Sequence, residues 1–178
     1  MKRNDVFYSA LFILLLGTFF SCTEKHGAET KSAVTTSEPT KRLLELAGTW
    51  KTVSNSFGNP GTGLEGTLKV SPVSNSSALF TTYTQGSGSE YYEANALWGY
   101  SALTNQVRVF EVNSLGFADT HVGNFDSNGA LILRFSDVVN KVSEERTFWW
   151  NADTLKMKAV FTSQDKTNEN SFTLVRQR

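Results

Sequence analysis

From position 41 to the C-terminus, apolar and polar residues alternate with a period of two, and no stretch holds the 3.6 period of a helix for long. Leu64, Gly66, Leu68 and Val70 alternate with Glu65, Thr67 and Lys69, and Ala78, Phe80 and Thr82 alternate with Leu79, Thr81 and Tyr83. Tyr92, Ala94, Ala96 and Trp98 share one side of the next run, and Val107 and Val109 oppose Arg108, Phe110 and Val112. Segments of the same kind cover 116–125, 130–136, 143–150, 155–163 and 171–176; with 49–57 at the start, the pattern predicts about ten strands. Asp126-Ser127-Asn128-Gly129 is a strong turn signal, and Asn151-Ala152-Asp153 and residues 165–170 are weaker ones. The helical signal is confined to Leu43, Leu44 and Leu46, which follow Thr40 as N-cap candidate and end at Gly48. Short strands joined by tight turns predict an antiparallel meander, because parallel strands need crossovers of a dozen or more residues. Closing such a sheet removes its edges, so the meander favours an up-and-down barrel of about 8–10 strands over a sandwich.

Composition narrows the function classes. The 178 residues are 39% hydrophobic, too apolar for disorder throughout, and their length suits one domain with a tail. Lys and Arg number 17 against 17 Asp and Glu, so the chain lacks the basic excess of a general nucleic-acid binder. One cysteine gives no internal disulfide and no cysteine-based zinc site. No metal and no cofactor is expected from these residues.

The first forty residues follow another rule. Lys2 and Arg3 precede an apolar run over 6–20, then Ser21 and Cys22. A basic start, a short apolar stretch and a small residue describe a secretory signal, and the run falls short of the roughly 20 residues of a spanning helix. Phe19-Phe20-Ser21-Cys22 resembles the lipobox of bacterial lipoproteins. That resemblance implies cleavage after residue 21 and a diacylglycerol and N-acyl chain on Cys22, enough acyl chains for stable membrane attachment. Thr23 follows, with no Asp to act as an inner-membrane retention signal, so the outer membrane is the expected address. The polar segment to residue 40, which contains His26, reads as a flexible tether spanning about 25 Å. The expected organisation is a signal at 1–21, a tether at 22–40 and a barrel at 41–178. Removing 1–21 takes away Lys2, Arg3 and Asp5, which leaves 15 basic and 16 acidic residues. The mature chain stays near neutral, so its partner is a membrane through the lipid anchor, not a polyanion.

Gly48-Thr49-Trp50, after a short helix and at the start of the first strand, resembles the Gly-x-Trp motif of lipocalins and related calycin barrels. The resemblance implies that Trp50 closes one barrel end and that an arginine of the last strand, Arg176 with Arg178 as fallback, stacks on it. The chain is also similar to an uncharacterised group of secreted bacterial lipocalin-like domains. The likeness rests on Trp98-Gly99-Tyr100, on Gly123-Asn124-Phe125-Asp126-Ser127-Asn128-Gly129 and on the segment from Arg146 to Trp149. That group brings no function.

Chemistry-bearing residues are sparse. His121 shares a strand face with Asp119, a pairing that orients an imidazole for base work or haem ligation, but no second histidine lies in the folded part. Residues 61–66 are glycine-rich but open no helix, so they lack the donors of a phosphate loop. The recurring aromatics, among them Tyr83, Tyr92, Trp98, Phe148 and Trp150, fit a ligand cavity as well as a solid core. Arg108, Glu111, Arg134, Glu145 and Arg146 interrupt apolar strands, where charges usually face solvent; an inward Arg108 or Arg146 marks a carboxylate site. The expected function is therefore a barrel that binds a small hydrophobic molecule, through Tyr92, Trp98, Arg108, His121, Arg146 and Trp150. The alternatives are a His121-based enzyme or haem barrel, and a solid-core interaction module.

Overall fold

A computed structural model describes residues 36–56, 65–86, 88, 91–164 and 166–178. The signal segment, Cys22, His26 and most of the tether lie outside the described residues, as do the glycine-rich positions 61–63.

One short helix, α1 (Glu38–Leu44), precedes ten strands. Its N-cap is Ser37, whose hydroxyl accepts from the Thr40 amide at 3.4 Å, and not Thr40 as the sequence led us to expect. The reason is Pro39. Proline lacks an N–H and is tolerated in the first helical turn, where that group has no intrahelical partner, so the cap falls ahead of it. Thr40 instead lies inside the helix and pairs its hydroxyl with Ser37 at 2.8 Å.

The strands are β1 (Gly48–Asn55), β2 (Gly66–Val73), β3 (Ala78–Gln85), β4 (Tyr92–Ser101), β5 (Gln106–Asn113), β6 (Ala118–Phe125), β7 (Leu131–Asp137), β8 (Val142–Trp150), β9 (Thr154–Ser163) and β10 (Lys166–Arg176). Every consecutive pair is antiparallel, and β1 also pairs with β10, which closes the sheet into a barrel. A register shift between Thr52 and Ser54 bends β1 where it completes the circle. Asp126 organises the turn read from the sequence: its carboxylate accepts from the Asn128 and Ala130 amides at 2.8 Å each. Of the turn expected over 165–170, residues 166–170 are instead part of β10, which pairs from Lys166↔Ser163 through Asn170↔Ala159. Backbone pairing is indifferent to side-chain polarity at this end of the barrel, where Thr167, Asn168 and Glu169 are exposed.

The β1–β10 pairing is anchored at the barrel's closed end, where Trp50 pairs with Arg176. Trp50 is fully buried, and its Nε1 donates to Leu46 O at 2.9 Å. The Arg176 guanidinium lies 4.1 Å from the Trp50 ring and donates to Glu45 O at 2.7 Å, to Ala152 O at 2.6 Å and to Ala47 O. Arg176 thereby holds carbonyls that the helix end leaves without intrahelical donors. Arg178, the fallback, pairs with Asp153 on the surface instead. Gly48 has φ +136, and a Cβ there would stand 2.7 Å from Arg176 Nη1. The glycine, tryptophan and arginine thus form one device: the glycine makes room for the cation that covers the indole.

At the same end, Arg42 of α1 stacks 4.5 Å from the Trp150 ring and donates to Trp150 O at 2.8 Å. Leu43 and Leu46 are buried beneath the helix. The connections β3–β4, β5–β6, β7–β8 and β9–β10 lie at the opposite end.

Candidate functional site

Alternation along the strands decides what faces inward. On β8 the inward set is Glu144, Arg146, Phe148 and Trp150; on β4 it is Tyr92, Ala94, Ala96 and Trp98. The interior these residues share is half filled. Between β5, β6 and β7 it is packed by Val107, Val109, His121, Leu131 and Leu133, each no more than 2% exposed. Between β2–β4 and β8–β10 it is hollow, with a cavity of about 420 Å³. The choice between cavity and solid core, which the aromatic count left open, is settled by region.

The cavity wall nearest the closed end is apolar. Leu46, Val70, Trp98, Phe148, Leu155 and Met157 form it. Trp98 and Phe148 meet edge to face at 5.3 Å, and Trp98 Nε1 donates to Thr81 Oγ1 at 3.2 Å, so the indole is fixed in place. Farther toward the open end, Tyr83 stacks on Phe172 with centroids 5.8 Å apart, and Tyr92 approaches Tyr83 at 6.2 Å. Burial, reinforced by the nearby Glu111 charge, pushes the Tyr92 hydroxyl up to about 12, so it is a neutral phenol at physiological pH.

A charged cluster shares that end. Arg146 donates from Nη1 to Glu111 Oε2 at 2.6 Å and from Nη2 to Glu111 Oε1 at 3.3 Å. Its Nη2 also donates to Glu144 Oε2 at 2.9 Å, and its Nε stands 2.9 Å from Glu144 Oε1. His121 Nε2 lies 3.0 Å from Glu144 Oε2. Burial opposes ionisation of Glu144, but the His121 and Arg146 hydrogen bonds and charges outweigh it and hold the carboxyl at about 2. Burial likewise opposes the Arg146 charge, and the two glutamates overcome it and raise its pKa. Glu144 also borders a second, more open depression flanked by Ser56, Phe161 and Asn168, so it stands between the cavity and the rim.

The residues singled out from sequence separate in space. Tyr92, Trp98 and Arg146 line the cavity. Arg108 is exposed on the outer face and takes no part. Trp150 is buried at the closed end between Arg42 and Phe125, away from the cavity wall. His121 is fully buried, its ring 5.6 Å from Phe135 and its Nδ1 without a hydrogen-bond partner among the described residues. Its hydrogen-bonding partner is Glu144, across the barrel wall, and not Asp119 on its own strand. Arg146 does point inward, but the carboxylate site expected of an inward arginine is already occupied by Glu111 and Glu144. Glu111 was expected to face solvent and instead lines the cavity; Arg134 and Glu145 do face outward, paired at 2.9 Å. Glu144, Gln85 and Phe172 had no sequence signal beyond their phase on the strand. Among the described residues, no group of three or more His, Cys, Asp or Glu side chains is placed to hold a metal ion.

No family model and no curated protein matches this sequence. Solved structures do. Fourteen chains match, among them an S-type phycobiliprotein lyase, CPES, from Guillardia theta. Its TM-score is 0.54 at 9% identity, over 78% of this chain and 92% of that one. The likeness establishes a lipocalin-like barrel.

Proposed function

We propose that the protein is a lipid-anchored binding protein of the bacterial envelope, tethered through Cys22 to the outer membrane, whose barrel holds a small hydrophobic molecule. The observation that carries the binding part is the cavity. At about 420 Å³ it falls within the range of small-molecule sites, with an aliphatic and aromatic wall and a few convergent polar groups. A fold shared at 9% identity transfers no ligand, so the reading rests on this interior alone. The enzyme or haem reading draws no support from His121, which is fully buried and has Nε2 engaged by Glu144. A solid-core module does not describe an interior with this void. The anchor rests on the order of charge, apolar run, Ser21 and Cys22 in the sequence.

Ala96 lines the cavity and is 4% exposed. Ala96→Phe places a phenyl ring in the void, and it is expected to weaken binding of the fluorescent probe N-phenyl-1-naphthylamine about tenfold or more, or roughly 1.4 kcal/mol. Titration of the two proteins checks this; equal affinity would place the probe elsewhere and remove the reading. Cys22→Ser is expected to abolish incorporation of an alkyne-tagged palmitate in bacterial cells, and retention of the label would rule out the anchor.

A further inference from the structure

The polar end of the cavity is unusual in what it has left to offer a ligand. A guanidinium has five N–H donors, and a carboxylate about four acceptor positions. Arg146 makes three hydrogen bonds to Glu111 and Glu144, which leaves two donors, one of them the buried Nε–H, which stands 2.9 Å from Glu144 Oε1 without a hydrogen bond. Glu111 accepts two hydrogen bonds from Arg146, and Glu144 accepts one from Arg146 and one from His121, so about four of their eight acceptor positions remain. Asp119 sits opposite Glu111 on β6, and cross-strand partners share a face, so it adds a third carboxylate to this side of the barrel. Against those three stand Arg146 and His121. Even with the imidazole protonated, the group keeps one net negative charge. A ligand carboxylate entering here meets like charge, and it engages Arg146 as a bidentate partner only by displacing a glutamate from a buried ion pair.

Position along the strands fixes the orientation. Glu144 and Arg146 precede Phe148 on β8, and Glu111 lies near the open-end terminus of β5, while Trp98, Phe148 and Leu155 line the wall toward the closed end. An amphiphile therefore enters with its apolar body toward Trp98 and its head at the carboxylates.

We propose that the cavity selects amphiphiles with a cationic, hydrogen-bond-donating head, such as a primary amine, over those with a carboxylate. The inference rests on the binding function proposed above and names its ligand class. An ammonium supplies three donors to the open acceptor positions and opposes the residual negative charge. It also leaves the Arg146 pairs intact.

Competition separates the two claims. The full chain is loaded with N-phenyl-1-naphthylamine, a largely apolar probe, and challenged at pH 7 with decylamine, decanol and decanoate. Decylamine is expected to displace the probe at a concentration about tenfold or more below that needed for decanoate, with decanol between them. Equal potency, or a preference for decanoate, overturns the amine selectivity while leaving a hydrophobic binding site. Failure of the probe to bind at all overturns the binding function itself.

Discussion

Gly123→Ala is expected to leave little folded protein. Gly123 sits on the inward face of β6, and a Cβ built on it would lie 1.7 Å from Ile132 O, 2.7 Å from Ile132 C and 3.0 Å from Leu133 Cα. All three atoms are backbone of β7, so no side-chain rotation relieves the contact. Relief requires separating the strands where Gly123 pairs with Leu133, in a ladder of only four paired residues, Val122 to Phe125. That ladder closes the filled half of the barrel, where His121, Leu131 and Leu133 are buried. The contrast with Gly66 is instructive, since there a Cβ would meet the ends of the Tyr83 and Thr52 side chains. A clash of the Gly123 kind belongs with the exceptional substitutions that cost more than about 4 kcal/mol, a large share of the 5–15 kcal/mol typical of a domain. Urea unfolding followed by tryptophan fluorescence measures it. A loss below about 1 kcal/mol would show that β6 and β7 are not packed this closely in solution.

The barrel was legible from sequence because period-two runs and turn residues record local backbone states, and ten short strands without crossovers leave few topologies. Facing was much less so. Phe80, Leu97 and Phe110 are exposed and lie next to Leu79, Trp98 and Val109, which are buried, so apolar residues stand on both faces of β3, β4 and β5. The outer three are also mutual cross-strand partners, Phe80↔Leu97 and Leu97↔Phe110, which form a continuous outer row. Trp149 and Trp150 pose the same problem on β8. With the phase undetermined, the polarity of Glu111 and Arg146 argued for solvent, and only their pairing with each other and with Glu144 across β5 and β8 makes the interior tolerable for them. Such a pairing joins positions 35 residues apart and leaves no trace in local pattern. The closed end was different, because Gly48, Trp50 and Arg176 fit a motif whose geometry is short-ranged at one terminus and fixed by closure at the other.

Arg146→Ala should expose that dependence as a change in how stability responds to pH. In the intact protein Glu144 is held at about 2, below its ordinary 4.5, so its contribution is fully present above the unfolded value and disappears as pH falls through the folded one. The shift is worth roughly 3 kcal/mol at neutral pH. Removing the guanidinium leaves Glu111 and Glu144 partly buried side by side, with only His121 still bonded to Glu144. Burial then governs, and it raises the carboxyl above its unfolded value. The sign reverses: the remaining contribution is destabilising above that value and fades as the carboxyl protonates. At pH 7 Arg146→Ala is expected to cost about 3–5 kcal/mol, the range for removing one partner of a buried pair, and markedly less at pH 4. Combining Arg146→Met with Glu111→Gln and Glu144→Gln removes every formal charge of the three and should recover most of the loss at pH 7. Urea midpoints for the wild type, Arg146→Ala and the triple variant at both pH values decide the matter. A loss that is the same at pH 4 and pH 7, or a triple variant no better than Arg146→Ala, would mean that Arg146 acts through packing of its side chain and not through the two carboxylates it bridges.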